Sequence, residues 1–227
     1  MASLGLSFAE AAIHDTFKSV NPFGKSNNPN GINWGDYNYP PCLSIMHYSL
    51  DDIQHEQNQK VVDCMHKVFL LTFINCVLNF IDTTVNTTIY DDADGSWIIY
   101  SILNFVLIVP IALYIFYSGY KGVALMDSGY LSRFTFLGMI QALFYFMFTL
   151  LHFGALNGLL SFAMFKVGIF WTIAIVLESL IWITALGLCL YTVIYIHRGK
   201  HEILPIATST KSKSTKNKHS VESAQGS

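Results

Sequence analysis

Four stretches of the chain are long enough and apolar enough to form membrane-spanning helices. A helix rises 1.5 Å per residue, so about 20 mainly apolar residues cross a hydrocarbon core about 30 Å thick. Segments 97–117 and 134–153 contain no Asp, Glu, Lys or Arg and meet this condition. The apolar run 167–196 is longer than one span needs. We place its helix near 170–194 and expect tilt or protruding ends to absorb the excess.

The first predicted span, near 62–81, has a weaker apolar pattern. Its continuous apolar part begins only at Val68, and Lys67 lies close to its entrance. A lysine at that position can extend to the lipid headgroups, so the segment can still insert. We count it as a span because an even number of crossings then agrees with the distribution of charge.

The basic residues predict the orientation of the spans. All thirteen lysines and arginines except Lys166 lie in segments that a four-span chain places on one side of the membrane. The predicted loop 82–96 contains neither Lys nor Arg and carries four aspartates instead: Asp82, Asp91, Asp92 and Asp94. Because basic residues stay in the cytosol, both termini are predicted to be cytosolic.

These patterns predict an all-α membrane protein, with four transmembrane helices in a bundle and flexible cytosolic N- and C-terminal tails. Charged residues make up only 12% of the chain, against about 25% in soluble domains. The predicted organisation is a cytosolic region 1–60, a membrane domain 61–196 and a Lys/Ser/Thr-rich tail 197–227. Membrane lipids are the expected surroundings, and a net charge of −2 does not suggest a nucleic-acid partner.

Several polar residues lie inside the predicted spans. Glu178 is in span four, where a carboxylate costs about 2.5–3.5 kcal/mol on insertion scales. Asn75 and Asn79 lie one turn apart in span one, as residues in contact with another helix would. Gln141 in span three is a potential hydrogen-bond partner of Glu178. We prefer a structural role for these residues over a transport site, and the transport site stays open as the alternative.

Smaller sequence features concern the ends of span one. Ser49 and Asp52 have capping-box spacing, which predicts a helix that starts there and runs toward the membrane. The glycosylation sequon at Asn86 lies so close to the membrane that we expect it to be unmodified. No cysteine is predicted in an outer loop, so no disulfide is expected, and palmitoylation of juxtamembrane Cys64 stays open.

The tripeptide Asn21-Pro22-Phe23 is the clearest binding motif in the N-terminal region. Asn favours the first position of a turn and Pro presets the backbone angle of the second. Phe23 is then presented on a rigid corner that a pocket could bind at little entropic cost. An ordinary Asn-Pro turn without a partner is the alternative interpretation.

The order of these motifs resembles that of the secretory carrier membrane proteins, a family of four-span vesicle proteins, over roughly residues 20–200. The similar features are the Asn21-Pro22-Phe23 motif, Asn33-Trp34, Tyr39-Pro40-Pro41-Cys42, the stretch HYSLDDIQHEQNQKVV, the FINCVLNF run, the Tyr120-Lys121 and Asp127-Ser128 pairs in the predicted cytosolic loop 118–133, and YIHRGK after span four.

The resemblance implies a non-enzymatic protein of trans-Golgi, endosomal and secretory vesicle membranes that acts in exocytosis and endocytic recycling. It also implies that Asn21-Pro22-Phe23 is a ligand of EH-domain endocytic adaptors. The sequence contains no HExxH, GxSxG or P-loop motif, and no cofactor or metal is expected. A small transporter or channel that uses Glu178 and the intramembrane amides is the competing hypothesis, and the oligomeric state is left open.

Overall fold

The computed structural model describes residues 31–89, 95–151, 156–164 and 168–222, and this part of the chain is helical and contains no β-sheet. The predicted binding motif Asn21-Pro22-Phe23 lies outside the described residues. The chain divides into two compact units, 1–54 and 55–227, and each is described by itself.

The described part of the first unit, 31–54, is held together by short-range hydrogen bonds. Tyr39 and Met46 form an antiparallel bridge. His47 Nδ1 donates to Asp36 O at 2.9 Å, and its Nε2 lies 2.8 Å from Asp52 Oδ2. The prediction of a continuous helix from Ser49 is wrong. Ser49 Oγ caps only a 3₁₀ helix, Leu50–Asp52, after which Ile53 is extended.

The described part of the second unit contains five α-helices: α1 Glu56–Thr88, α2 Ser96–Leu125, α3 Ser128–Leu150, α4 Ser161–Met164 and α5 Ile169–Glu222. Four of these segments are long and apolar enough to cross a membrane: α1, α2, α3 and the 169–199 part of α5. The all-α, four-span prediction is therefore confirmed. The helices extend beyond the predicted spans because a helix continues into water wherever its residues tolerate helical geometry.

The four long helices pack as an antiparallel bundle. Helix α1 packs against α2 and α5, and α3 packs against the same two helices. The register of α1 on α5 follows from two contacts, Tyr195 Oη to Asn58 Oδ1 and Asn79 Nδ2 to Glu178 Oε2, both 3.4 Å long. Large apolar side chains such as Phe136, Leu143 and Leu180 point outward and are more than half exposed. Such a surface suits lipid and not water.

Helices α2 and α3 are joined far more tightly than the sequence predicted. The prediction of a loop over 118–133 is wrong, because α2 continues to Leu125 and α3 begins at Ser128. Only Met126, in the left-handed conformation, and Asp127 connect the two helices. Gly122 permits this turn, since a Cβ there would lie 2.9 Å from Leu131 N.

The last helix continues through most of the segment that was expected to be a flexible tail. Helix α5 runs without interruption from Ile169 to Glu222. Extending a helix from a stable span avoids the cost of nucleation. Pro205 lies within this part of α5, where it removes one backbone N–H from the helical hydrogen bonds.

Candidate functional site

One face of α1 carries a row of buried polar side chains. Its members follow each other at intervals of three or four residues and are at most 4% exposed: Thr72, Asn75, Asn79, Asp82 and Asn86. That spacing places them along one side of the helix, which faces the bundle. The predicted loop position of Asp82 is therefore wrong, because Asp82 belongs to α1. Asn86 of the sequon is only 3% exposed, which agrees with the expectation that it is unmodified.

Glu178 of α5 lies opposite this row and is 1% exposed. Its carboxylate accepts from Asn79 Nδ2 at 3.4 Å, and its backbone oxygen accepts from Asn75 Nδ2 at 3.5 Å. Both predicted amides of span one thus contact the helix that carries Glu178. At 1.5 Å per residue, Glu178 lies about 13 Å along the axis from the start of α5.

Asn157, in the connection between α3 and α4, contacts both Asp82 of α1 and Glu178 of α5. Its Nδ2 donates to Asp82 Oδ2 at 2.6 Å and to Glu178 Oε1 at 3.4 Å. Its Oδ1 accepts from Trp171 Nε1 at 3.1 Å. Because an indole N–H can only donate, this contact fixes the orientation of the Asn157 amide. The amide therefore holds both carboxyl groups at once.

Gly158 allows the connecting segment to reach this position. A Cβ at residue 158 would overlap the backbone carbonyl of Leu151, with 2.6 Å to its carbon atom. Backbone hydrogen bonds of 2.9 Å from Leu159 to Thr149 and from Leu160 to Leu150 hold the segment against the end of α3.

The carboxyl groups of Asp82 and Glu178 accept from the same amide nitrogen, Asn157 Nδ2. Two like charges held this close and away from water repel each other, which favours one proton shared between the two groups. Among the described residues, no lysine, arginine or histidine forms an ion pair with either carboxyl group. We call Asp82, Glu178, Asn79 and Asn157 the carboxyl cluster.

Gln141 does not join the carboxyl cluster. It donates to Tyr145 one turn further along α3, and the Tyr145 hydroxyl also contacts Thr72 of α1. The Tyr145 ring packs on Trp182 of α5, with 5.1 Å between the ring centroids. Gln141 thus belongs to a second polar contact across the bundle, and its predicted pairing with Glu178 is not what the structure shows.

The predicted cytosolic-loop residues lie instead at the tight α2–α3 turn. Tyr120 and Lys121 are helical and at most 3% exposed. Lys121 Nζ lies 5.2 Å from the centre of the Tyr130 ring, a cation–π distance. Asp127 caps α3, since its Oδ1 accepts from the backbone of Gly129 at 2.7 Å and of Tyr130 at 3.2 Å, and Ser128 is the first residue of α3. These residues shape the turn.

Three members of the site were missed from the sequence: Asp82, Asn157 and Trp171. Asp82 could have been found, because it continues the spacing of Asn75 and Asn79 along one helical face. Asn157 and Trp171 gave no such signal, since their contacts depend on how the connection folds back. In the described part of the chain, no group of three or more His, Cys, Asp or Glu side chains could hold a metal ion, and all four cysteines are unpaired thiols.

Four long apolar helices around buried polar groups define a multi-pass integral membrane protein. The chain belongs to the SCAMP family, which it matches over residues 36–202, more than half of its length. The resemblance inferred from the motifs is thereby confirmed. Comparisons with curated proteins and with solved structures gave no match. Membership indicates a membrane protein of vesicle trafficking, and the family is not known for enzymes.

Proposed function

We propose that this chain is a non-enzymatic protein of post-Golgi and endosomal vesicles, acting in exocytosis and endocytic recycling. In this proposal its membrane domain resides in trans-Golgi, endosomal and secretory vesicle membranes, with the plasma membrane as a further station. Both termini face the cytosol, and Asn21-Pro22-Phe23 recruits EH-domain adaptors.

The observation that carries the proposal is the position of this motif next to a SCAMP membrane domain. The family match begins at residue 36, and Asn21-Pro22-Phe23 precedes it on the same side of the first span. The charge distribution supports a cytosolic location for that side, because Lys18, Lys25 and Lys60 lie there. A cytosolic adaptor would therefore have access to Phe23.

The Phe23→Ala variant is expected to lose at least about tenfold in affinity for an EH domain, because an aromatic anchor that fills a pocket dominates such small interfaces. The measurement is binding of the purified full-length chain in detergent to isolated EH domains. The matched control is Phe17→Ala, which removes the same ring from the same segment.

Two results would separate the parts of this proposal. A wild-type chain that binds no EH domain would disprove the adaptor mechanism while leaving the vesicle location intact. A tagged chain that never coincides with Golgi or endosomal markers in cells would disprove the location itself.

The transporter or channel hypothesis rests on the buried Asp82–Glu178 pair. Transport sites usually have broken helices at the midplane, which argues against this hypothesis. The described spans are continuous helices, and α2 continues through Pro110. Flux through reconstituted liposomes that is abolished by Glu178→Gln would support this second function. Liposomes with the wild-type chain but without flux would remove it.

A further inference from the structure

We propose that Asp82 and Glu178 form a binding site for one small monovalent cation, either Na⁺ or a second proton. This inference is independent of the trafficking proposal, because it concerns the membrane domain and not the N-terminal motif.

The first argument is the balance of charge. Asp82 and Glu178 are 4% and 1% exposed and lie between membrane-spanning helices. Because the two carboxyl groups share one donor away from water, one proton shared between them leaves a single negative charge. Asn79 and Asn157 supply N–H donors to that charge but no positive charge. Since an unpaired charge is expensive within a membrane, one further positive charge completes the site.

The second argument is a buried carboxyl oxygen that accepts no hydrogen bond. Asp82 Oδ1 is buried and accepts no hydrogen bond from an amide, hydroxyl or amine in the described part of the chain. Buried acceptors are nearly always paired. Carboxylate oxygens are also the ligands that hard cations prefer. A net charge of minus one on the pair selects a monovalent cation over a divalent one.

The third argument is space. A groove of about 170 Å³ lies between α1 and α5, and both carboxyl-bearing residues line it. Its remaining walls are apolar: Leu78, Ile81, Phe170, Ile173, Ala174 and Leu177. Ile81, Ile173 and Leu177 are about half exposed, so the groove opens on the outer face of the bundle and leaves room for a small cation to approach the carboxyl groups.

Among the described residues, the other titratable group near the pair is the buried free thiol of Cys76 on α1, which brings no positive charge. Lys166 is near in sequence to Asn157 and Trp171 but lies outside the described residues. The test therefore includes a variant of Lys166.

The test is the melting temperature of the purified full-length chain in detergent, followed by tryptophan fluorescence. Samples contain Na⁺, Li⁺, K⁺ or N-methylglucamine at constant ionic strength, at pH 6 and pH 8. We expect a small cation to raise the melting temperature at pH 8 by about 2 °C or more over N-methylglucamine, with saturation, because a ligand of the native state stabilises it. At pH 6 a competing proton should reduce that difference.

Matched variants assign the effect to the site. Glu178→Gln and Asp82→Asn should each abolish the cation dependence. Glu56→Gln, which alters an exposed carboxylate paired with Lys60, should retain it. If acidification stabilises the wild type equally in all salts and Glu178→Gln removes that effect, the bound cation is the proton.

Several results would overturn the proposal. One is a wild-type melting temperature that depends on neither the cation nor the pH. This result can be interpreted without any variant. Another is a dependence that persists in both Glu178→Gln and Asp82→Asn. A third is a cation dependence that appears only in Lys166→Gln, because the lysine would then supply the charge in the wild type.

Discussion

The Gly158→Ala variant is expected to unfold at a clearly lower denaturant concentration than the wild type. The added methyl group would meet the Leu151 backbone carbonyl, with 2.6 Å to the carbonyl carbon, and backbone cannot move aside as a flexible side chain can. Overpacking of this kind costs about 1–3 kcal/mol and occasionally more. The shift of residues 156–160 would also pull Asn157 away from Asp82, which adds to the loss.

The control is Gly187→Ala in α5. Nothing lies within 4 Å of a Cβ at that exposed position. Since alanine favours a helix over glycine by about 1 kcal/mol, this variant should be as stable as the wild type or more so. Equilibrium unfolding in detergent, followed by tryptophan fluorescence, measures both variants. Equal stability of Gly158→Ala and Gly187→Ala would show that the segment is not packed as described.

The second large effect is expected for Asn157→Leu. This change removes the donor that bridges Asp82 and Glu178 and the acceptor of Trp171 Nε1. The carboxyl groups of Asp82 and Glu178 would remain buried without this hydrogen-bond donor. Leaving a buried acceptor without its donor costs about 1–3 kcal/mol, and more when the acceptor is charged. The fluorescence of Trp171 should change as well, because its indole N–H loses its hydrogen bond.

Asn104→Leu is the matched control for this substitution. Asn104 Nδ2 is buried in α2 and has no hydrogen-bond partner among the described residues. Replacing an unsatisfied amide by an apolar side chain of similar size should be neutral or stabilising. If Asn157→Leu proved as stable as Asn104→Leu, the contacts of Asn157 would contribute nothing to stability.

The apolar pattern was sufficient to predict the number and approximate positions of the spans. Uncharged runs of about 20 residues leave few alternatives, because a backbone in lipid must satisfy its own hydrogen bonds. The pattern could not predict where the helices end. The pattern predicts a loop at 118–133 because this segment is more polar than the spans. Polarity marks the edge of the membrane, and a helix can continue past that edge, as α2 does to Leu125.

The carboxyl cluster was predictable only in part. Glu178, Asn75 and Asn79 were recognisable as polar residues in apolar segments. The pattern predicts a loop position for Asp82 because a charge near a span end usually marks the boundary, although its spacing from Asn79 places it on the same helical face. The contribution of Asn157 depends on the segment that folds back at Gly158, and no local pattern encodes such a tertiary contact.

The central claim is a chain of four spans with both ends in the cytosol. Its most direct test is protease digestion of sealed vesicles from cells that express the chain with one tag before Met1 and another after Ser227. Both tags should be digested without detergent, while a tag inserted at Gly168, between α4 and α5, should be protected until detergent is added. A tag after Ser227 that stays protected while the tag before Met1 is digested would mean an odd number of spans and contradict the account.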